Sequence, residues 1–511
     1  MKKLPIGIQT FSKIIEGDYL YVDKTSIALD LVNAGEYCFL ARPSQFGKSL
    51  FLDTLKEIFK GNKALFKGLY IEDKWDFSDS YPVLHLSFAT GFHGEMAMLN
   101  QNIRFALQAI EHELNLPIAT TKATECFQEL IWQAYEQHGK KVVILVDEYD
   151  KPILDNITDK EKGNAIRDQM RDFYSVIKQN DRFIRFVFIT GVSKFSKMSL
   201  FSGLNNLNDI TLHADFGNIC GYTHQDLETY FKEYLVDVDL EEVRKWYNGY
   251  NYFGDKVYNP FDILLFISNN HEFRNYWWST GNPSFLINLL YSRDYAIPQL
   301  ENYQATDELL NSFDVDRIEL EALLWQTGYL TITKKYTERN RIKYLLGIPN
   351  LEIQFSLNDF FIDVLTTQKS QKIVYQDQLY DQLLAGNVEG LEQTVSRLFS
   401  SIPYHNFTNN TIADYEGYYA SVLYAYLASL GFPIIPEDVT NKGRIDLTIQ
   451  LPDKVYIFEF KVVSKVTGNA LQQIKARQYY QKYASYNAIY LVGIEFGKTE
   501  RNVVGWEVER L

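Results

Sequence analysis

Asp446, Glu459 and Lys461 are the residues of this chain whose types and spacing best suit them to act together. The run 445–451 alternates apolar and polar residues with period two, and so does 455–463. Pro452-Asp453-Lys454 between them is turn chemistry, so the two runs read as a hairpin. Folding about the Pro452–Asp453 bond sets Asp446 across from Glu459, with Lys461 two residues on and facing the same way. Ile445, Leu447, Ile449, Tyr456, Phe458 and Phe460 then make an opposite, apolar face. Opposed carboxylates repel each other, and a divalent cation between them reverses that sign. A lysine beside such a pair holds a water or an oxyanion. A solvated hairpin face in a shifted register accounts for the same residues.

A second constellation lies near the other end. Tyr37-Cys-Phe-Leu-Ala41 reads as a strand and is followed by Arg42-Pro-Ser-Gln-Phe-Gly-Lys-Ser49 and a helical run. That order suits a phosphate-binding loop: Gly47 lets the backbone approach, and the helix start turns its free N–H groups to phosphate oxygens. Lys48 would bridge the β- and γ-phosphates and Ser49 would ligate magnesium. The general pattern has glycine where this chain has Arg42. Residues 142–146 form a buried-type strand that runs into Asp147 and Glu148. There Asp147 would hold magnesium and Glu148 would polarise the attacking water. A chance turn and an ordinary acidic loop are the alternatives, but both features in this order favour binding of a nucleotide with magnesium. Thr190, Ser193 and Lys194 follow the next strand, where a polar residue can sense the γ-phosphate.

The elements that must position these groups fall into two patterns. Strand-like stretches at 37–41, 83–88, 142–146, 186–190 and 210–213 alternate with helical ones at 49–59, 96–113 and 165–179, which predicts a parallel sheet covered on both sides. Residues 216–335 read as mostly helical and aromatic-rich, 334–341 as a charged turn in a small hairpin, and 355–395 as helices. The domains expected are 1–215, 216–335, 336–395 and 396–511. A chain of 511 residues with 46% hydrophobic content is globular and has room for several cores. Its N-terminus lacks a signal-peptide pattern, no apolar run is long enough for a membrane span, and the three cysteines have no zinc spacing. A cytoplasmic setting without membrane partners is the simplest expectation.

The net charge of −14 does not extend to the C-terminal part, where residues 400–511 carry 11 Lys and Arg against 11 Asp and Glu. Between 461 and 494 the charged residues Lys461, Lys465, Lys475, Arg477 and Lys482 are all basic. They could grip a phosphate backbone or simply form a solvated helix face. A helix over 415–430 ends at Gly431 and Pro433, and Glu416 lies on its apolar stripe with Ala420, Leu423 and Leu427. There an acid either joins a site or complements the helix dipole. A further helix over 469–483 carries Gln473, Arg477 and Tyr480 along one side.

Beyond the loop and the acidic strand end, Leu4-Pro-Ile-Gly-Ile-Gln, Tyr21-Val-Asp-Lys-Thr25 and Asp147-Glu-Tyr-Asp-Lys-Pro152 resemble the bacterial AAA-ATPase-like family. So do Phe201-Ser-Gly-Leu-Asn-Asn206, Tyr247-Asn-Gly-Tyr250, Tyr258-Asn-Pro260, Thr280-Gly281 and Thr327-Gly-Tyr-Leu330. The C-terminal part is similar to the PD-(D/E)XK nuclease superfamily. The resemblance implies an α/β protein: a P-loop NTPase parallel sheet with a helical, lid-like extension, then a restriction-endonuclease-like α/β domain. It implies ATP as the nucleotide cofactor and makes Arg-Pro at the loop usual, so Arg42 joins the expected cofactor-binding residues with Gly47, Lys48, Ser49 and Asp147. Ser44 and Gln45 stand where the family commonly has two basic residues.

The resemblance also implies metal-assisted phosphodiester hydrolysis, with Mg²⁺ or Mn²⁺ held by Asp446, Glu459 and the Phe460 carbonyl. Lys461 would position the water, Glu416 would be an active-site acid, Gln473 would stand beside the site, and Glu437 would support it. The function expected is an ATP-regulated or ATP-driven endo- or exonuclease acting on nucleic acid, DNA before RNA, with Glu148 serving ATP hydrolysis and homo-oligomers possible. The competing expectation is a nucleotide-dependent switch whose C-terminal module binds without cleaving.

Overall fold

The computed structural model describes residues 1–91, 96–157, 159–194, 204, 206–280, 300, 302–311, 319–366, 371–402 and 416–511. Most of the 201–206 motif, Gly281 and the side chain of Glu416 lie outside the described residues. The chain divides into two compact units, one from residues 1–285 and 304–350, the other from 286–303 and 351–511.

In the first unit, β1 (Tyr37–Ala41), β2 (Val83–Ser87), β3 (Val142–Asp147), β4 (Ile184–Gly191) and β5 (Asn208–Asp209) form a parallel sheet in the order β2-β3-β4-β1-β5. β3 reads Val-Val-Ile-Leu-Val-Asp and is buried at every residue, as a strand covered on both faces must be. The intervening helices include α1 (Lys48–Phe59), α2 (Met96–Leu114), α3 (Ala123–His138) and α4 (Lys160–Gln179). The strand expected at 210–213 lies two residues earlier and is shorter. Thr211 turns its N–H to Asp209 Oδ1 (3.0 Å) and its Oγ1 accepts from Ala41 N (3.0 Å), and these local bonds end the ladder.

The rest of this unit is not wholly helical. A two-stranded ribbon, β6 (Tyr222–Thr223) with β7 (Val257–Tyr258), accompanies α5 (Leu240–Tyr247) and α6 (Pro260–Ser268). A second sheet has the order β8-β10-β9, with β8 at Tyr303–Thr306, β9 at Thr331–Glu338 and β10 at Arg341–Gly347, and α7 (Leu320–Thr327) precedes β9. The charged turn near 340 is therefore the tip of a hairpin, and the domain boundary expected at 335/336 falls inside β9.

In the second unit, helices α8 (Leu351–Thr366), α9 (Lys372–Ala385) and α10 (Val388–Ser400) lead to α11 (Glu416–Ala428). A five-stranded sheet follows in chain order: β11 (Ile434–Thr440), β12 (Gly443–Gln450), β13 (Lys454–Val463), β14 (Ala488–Gly497) and β15 (Val503–Arg510). Only the β13–β14 pair is parallel, and α12 (Asn469–Arg477) is its crossover. α11 lies on one face, where Tyr419 stacks on Phe496 with ring centres 4.5 Å apart. α12 lies on the other, where Ile474 packs with Val455, Ile457 and Leu491. Among the described residues no helix is long and apolar enough to cross a membrane.

Candidate active sites

The loop after β1 is closed by Gly47, whose φ of 96° is a conformation other residues enter only with strain. The space around a Cβ there is open, so backbone conformation rather than crowding selects glycine. Phe46 anchors the loop beneath Tyr250, ring edge to face at 4.7 Å. Trp277 Nε1 donates to Ser44 O (3.2 Å), and Gly328 of the Thr-Gly-Tyr-Leu motif leaves the room that Pro43 fills.

Lys48 is buried and donates to two loop carbonyls, Arg42 O (2.9 Å) and Pro43 O (2.8 Å). Ser49 is half-buried in the first turn of α1. Arg42 does not join them. Its guanidinium is buried, donates to Ala41 O, Thr211 O and Phe216 O, and lies 3.7 Å from the centre of the Tyr252 ring. Its donors brace the sheet edge, so the expected phosphate contact from Arg42 gives way to a structural role.

β4 lies between β3 and β1, and the end of β3 faces the loop across it. Asp147 Oδ1 accepts from Thr190 Oγ1 (2.7 Å), which fixes the carboxylate against the neighbouring strand. Glu148 has φ of 52°, a strained conformation for a residue with a Cβ. Burial raises its pKa, the Lys48 charge opposes that shift, and Asp147 and Asp150 add to it. Asp150, to which sequence reasoning gave no role, is buried and accepts from Val192 N, Ser193 N and Ser193 Oγ. It fastens the end of β3 to the residues after β4. The only signal for it was its place in the Asp-Glu-Tyr-Asp run. A cavity beside Gly47 is lined by Pro5, Leu20, Val22, Leu50, Ile219 and Tyr222 and is mainly apolar.

At the other site the hairpin pairs Gln450 with Val455 through Leu447 with Phe458, the register set by a turn at Pro452–Asp453. The next position along is Asp446 and Glu459. There the ladder ends, because Asp446 Oδ2 takes the N–H of Phe460 (2.8 Å). Glu459 is 1% exposed. Its Oε1 accepts from Gln473 Nε2 of α12 and lies 3.5 Å from Lys461 Nζ. These three donors relieve the carboxylates, so the repulsion expected from the bare pair is already partly offset. Gly493 of β14 pairs with Glu459, and a Cβ there would come within 2.4 Å of Leu471 N. The missing side chain lets α12 settle close enough for Gln473 to reach.

Neither face of the sheet is solvated: Val455 and Ile457, in line with Glu459, lie under α12. Ile445, expected on the opposite face, packs in this same cluster, beyond the point where the two strands part. The helix expected over 469–483 breaks at Gln478 (φ 51°) and resumes as a 3-10 turn. The break brings Tyr479, not Tyr480, to the site. The Tyr479 hydroxyl is pushed up by burial, then by the charges of Glu459 and Asp446, with Gln473 and Arg477 opposing the shift. Gly443 leaves it room. Glu437 pairs with Arg444, while the neighbouring Asp438 is the buried acid, held by Thr448, Tyr483 and Lys482. Glu416 opens α11, which packs on the face opposite Glu459 and is buried along most of its length, so the expected one-sided stripe is absent.

The basic run between 461 and 494 is largely spoken for. Lys475 pairs with Glu509 (2.6 Å), Lys482 with Asp438, and Arg477 donates to Lys442 O (2.7 Å). Among the described residues no three His, Cys, Asp or Glu side chains gather as a metal cage. Two carboxylates still suit magnesium, which keeps waters and takes phosphate oxygens as further ligands.

Comparison with known proteins agrees with the division of chemistry along the chain. The family described as Predicted AAA-ATPase matches residues 5–201, and the PD-(D/E)XK nuclease superfamily matches residues 414–506. A protein of Azotobacter chroococcum mcd 1, described as an uncharacterized protein in the vnfD 5′ region, is 48% identical over 513 residues, covering 100% of this chain and 99% of its own length.

Proposed function

The chain belongs to a family that joins a predicted AAA-ATPase domain to a PD-(D/E)XK nuclease superfamily domain, and from that premise we propose that it is an ATP-regulated, magnesium-dependent nuclease acting on DNA. The observation that carries the nuclease half is the meeting of Gln473 and Lys461 on the buried carboxylate of Glu459, one position beyond the hairpin ladder and beside Asp446. Asp438 in the same sheet is also a buried acid held by a lysine, and what sets Glu459 apart is the second carboxylate, Asp446, at the facing position.

Asp446 and Glu459 would hold the divalent ion, which when bound polarises a phosphate oxygen and activates water. Gln473 fixes the orientation of Glu459. Lys461, 29% exposed at its side chain, reaches from the protein towards solvent and steadies the charge that develops on phosphate. Manganese would fit the same oxygen donors.

In the first unit, Lys48 rests on two carbonyls that are weak partners for an ammonium, so a triphosphate would draw it away. The apolar cavity beside Gly47 would take the base, and Ser49 and Asp147 would serve magnesium. Glu148 would polarise the attacking water.

The test is incubation of the pure chain with plasmid and linear DNA, with and without Mg²⁺ and ATP. Cleavage that needs Mg²⁺, changes with ATP, and is lost in Asp446→Asn and Glu459→Gln supports the reading. DNA that is bound and left whole under every condition would transfer it to a nucleotide-dependent switch.

A further inference from the structure

The chain carries −14 overall, yet residues 334–343 hold five cations, Lys334, Lys335, Arg339, Arg341 and Lys343, against the single acid Glu338. They lie on the β9–β10 hairpin, whose ladder runs from Leu345 with Lys334 to Arg341 with Glu338. Arg339 (φ 49°) and Asn340 (φ 60°) close it in a two-residue turn that matches the twist of the strands. The register sorts the side chains into two faces.

On one face Tyr344 is buried and stacks on Phe253, and Lys335 Nζ lies 4.8 Å from the centre of the same ring. That face is fastened to the body of the unit. The other carries Lys334, Tyr336, Glu338, Arg341, Lys343 and Leu345. Lys343 pairs with Glu338, while Lys334, Arg341 and the tip residue Arg339 are exposed and make no ion pair among the described residues. Three like charges gathered on one ribbon without an opposing acid repel each other, and an anionic partner would offset that.

The sheet order β8-β10-β9, with α7 between β8 and the hairpin, is the strand order of a winged helix, whose wing would be the hairpin. The helix before the wing, α7, is not available to a partner. It is buried, Gln326 accepts from Lys194 N (2.9 Å), and Gly328 at its end abuts Pro43. The hairpin is exposed, as are Gln304, Thr306, Asp307 and Glu308 of β8 and the helical turn after it, and of these only the hairpin is basic.

We propose that the β9–β10 hairpin is a nucleic-acid-binding wing that docks on duplex DNA through Lys334, Arg339 and Arg341. A two-stranded ribbon fits the major groove, and the five steps from Lys334 to Arg339 extend about 17 Å, enough to meet several phosphates. A membrane surface would call for a continuous apolar outer face, whereas Tyr336 and Leu345 are half-buried there and stand among four charged side chains. The proposal deepens the reading of the chain as a nuclease, and rests on it for the choice of nucleic acid as partner.

The test uses the full chain bearing Asp446→Asn, in EDTA so that cleavage is disabled, and follows a labelled short duplex by fluorescence anisotropy over a range of salt. The starting chain should bind, with a log–log salt slope that shows phosphate contacts. Lys334→Glu/Arg339→Glu/Arg341→Glu should weaken binding about 100-fold and flatten the slope by about 2 to 3, with an unchanged melting temperature as the sign of an intact fold. An unchanged affinity and slope in the triple variant would overturn the proposal. So would a single strand competing as well as duplex, or anionic vesicles binding where duplex does not. If the triple variant on the cleavage-competent chain cuts as the parent does, the wing is refuted and the nuclease stands. If the wing binds duplex while the parent chain cuts nothing, the nuclease reading falls and the wing stands.

Discussion

Gln473 on α12 donates its side-chain amide to Glu459 on β13, tying the crossover helix to a carboxylate that is buried in the central strand. The bond restrains which oxygen of Glu459 is left for other partners, as supporting residues around metal ligands commonly do. Gln473→Ala is expected to reduce metal-dependent cleavage about 10–100-fold while changing the melting temperature little. The check is cleavage as a function of Mg²⁺ concentration together with a thermal melt. Activity equal to the parent at every Mg²⁺ level would show that Gln473 only packs.

Gly493 supports that bond from below. A methyl group there meets the backbone of Leu471 and not a flexible side chain, so the helix must move. Gly493→Ala should cost about 1–3 kcal/mol and lower cleavage by displacing Gln473. Denaturant unfolding and cleavage measured side by side will show whether the two losses go together.

Glu148 combines a raised pKa with a strained backbone. A carboxyl whose folded pKa is raised holds its proton more tightly when folded, so its stabilising contribution is present at low pH and is lost as pH rises through the folded value. Glu148→Gln should therefore be more stable than the parent at neutral pH and converge with it in acid, which melts at several pH values can test. ATP hydrolysis should fall with pH already above the ordinary glutamate range in the parent and be absent in the variant. Glu148→Gly should be more stable than Glu148→Ala by about 1 kcal/mol, because glycine tolerates the positive φ.

Arg42 and Lys48, six residues apart, should fail in different ways. Lys48→Ala is expected to keep the fold and lose Mg-ATP binding by calorimetry, since its ammonium has only loop carbonyls to leave behind. Arg42→Ala removes a buried cation that satisfies three carbonyls, so it should destabilise the first unit by about 3 kcal/mol or more. Weak ATP binding in an Arg42→Ala chain that melts like the parent would return Arg42 to the nucleotide site.

Much of the arrangement was legible in the order of residues because it rests on local rules. Strand runs such as 142–146 are continuous and β-branched, so their burial on both faces follows from composition. Period-two alternation and one proline turn fix the β12–β13 register, which places Asp446 and Glu459 at facing positions without knowledge of anything else in the fold. Glycine followed by lysine and serine between a strand and a helix likewise marks the loop by local geometry.

What local rules leave undetermined is where a long side chain goes once several elements compete for it. Arg42 sits in the loop by sequence, but carbonyls from Thr211 and Phe216 and the ring of Tyr252 lie within reach and draw it inward. The basic run after Lys461 reads as a free surface until Glu509 and Asp438, distant in sequence, neutralise Lys475 and Lys482. Tyr479 displaces Tyr480 because Gln478 breaks the helix, and Gly493 matters because another backbone passes over it. The sequence by itself determined which residues could do chemistry and the strands that carry them, since period and turn type act over a few residues. The tertiary structure alone decided which charges are already satisfied, since pairing depends on distances between segments that no short-range pattern records.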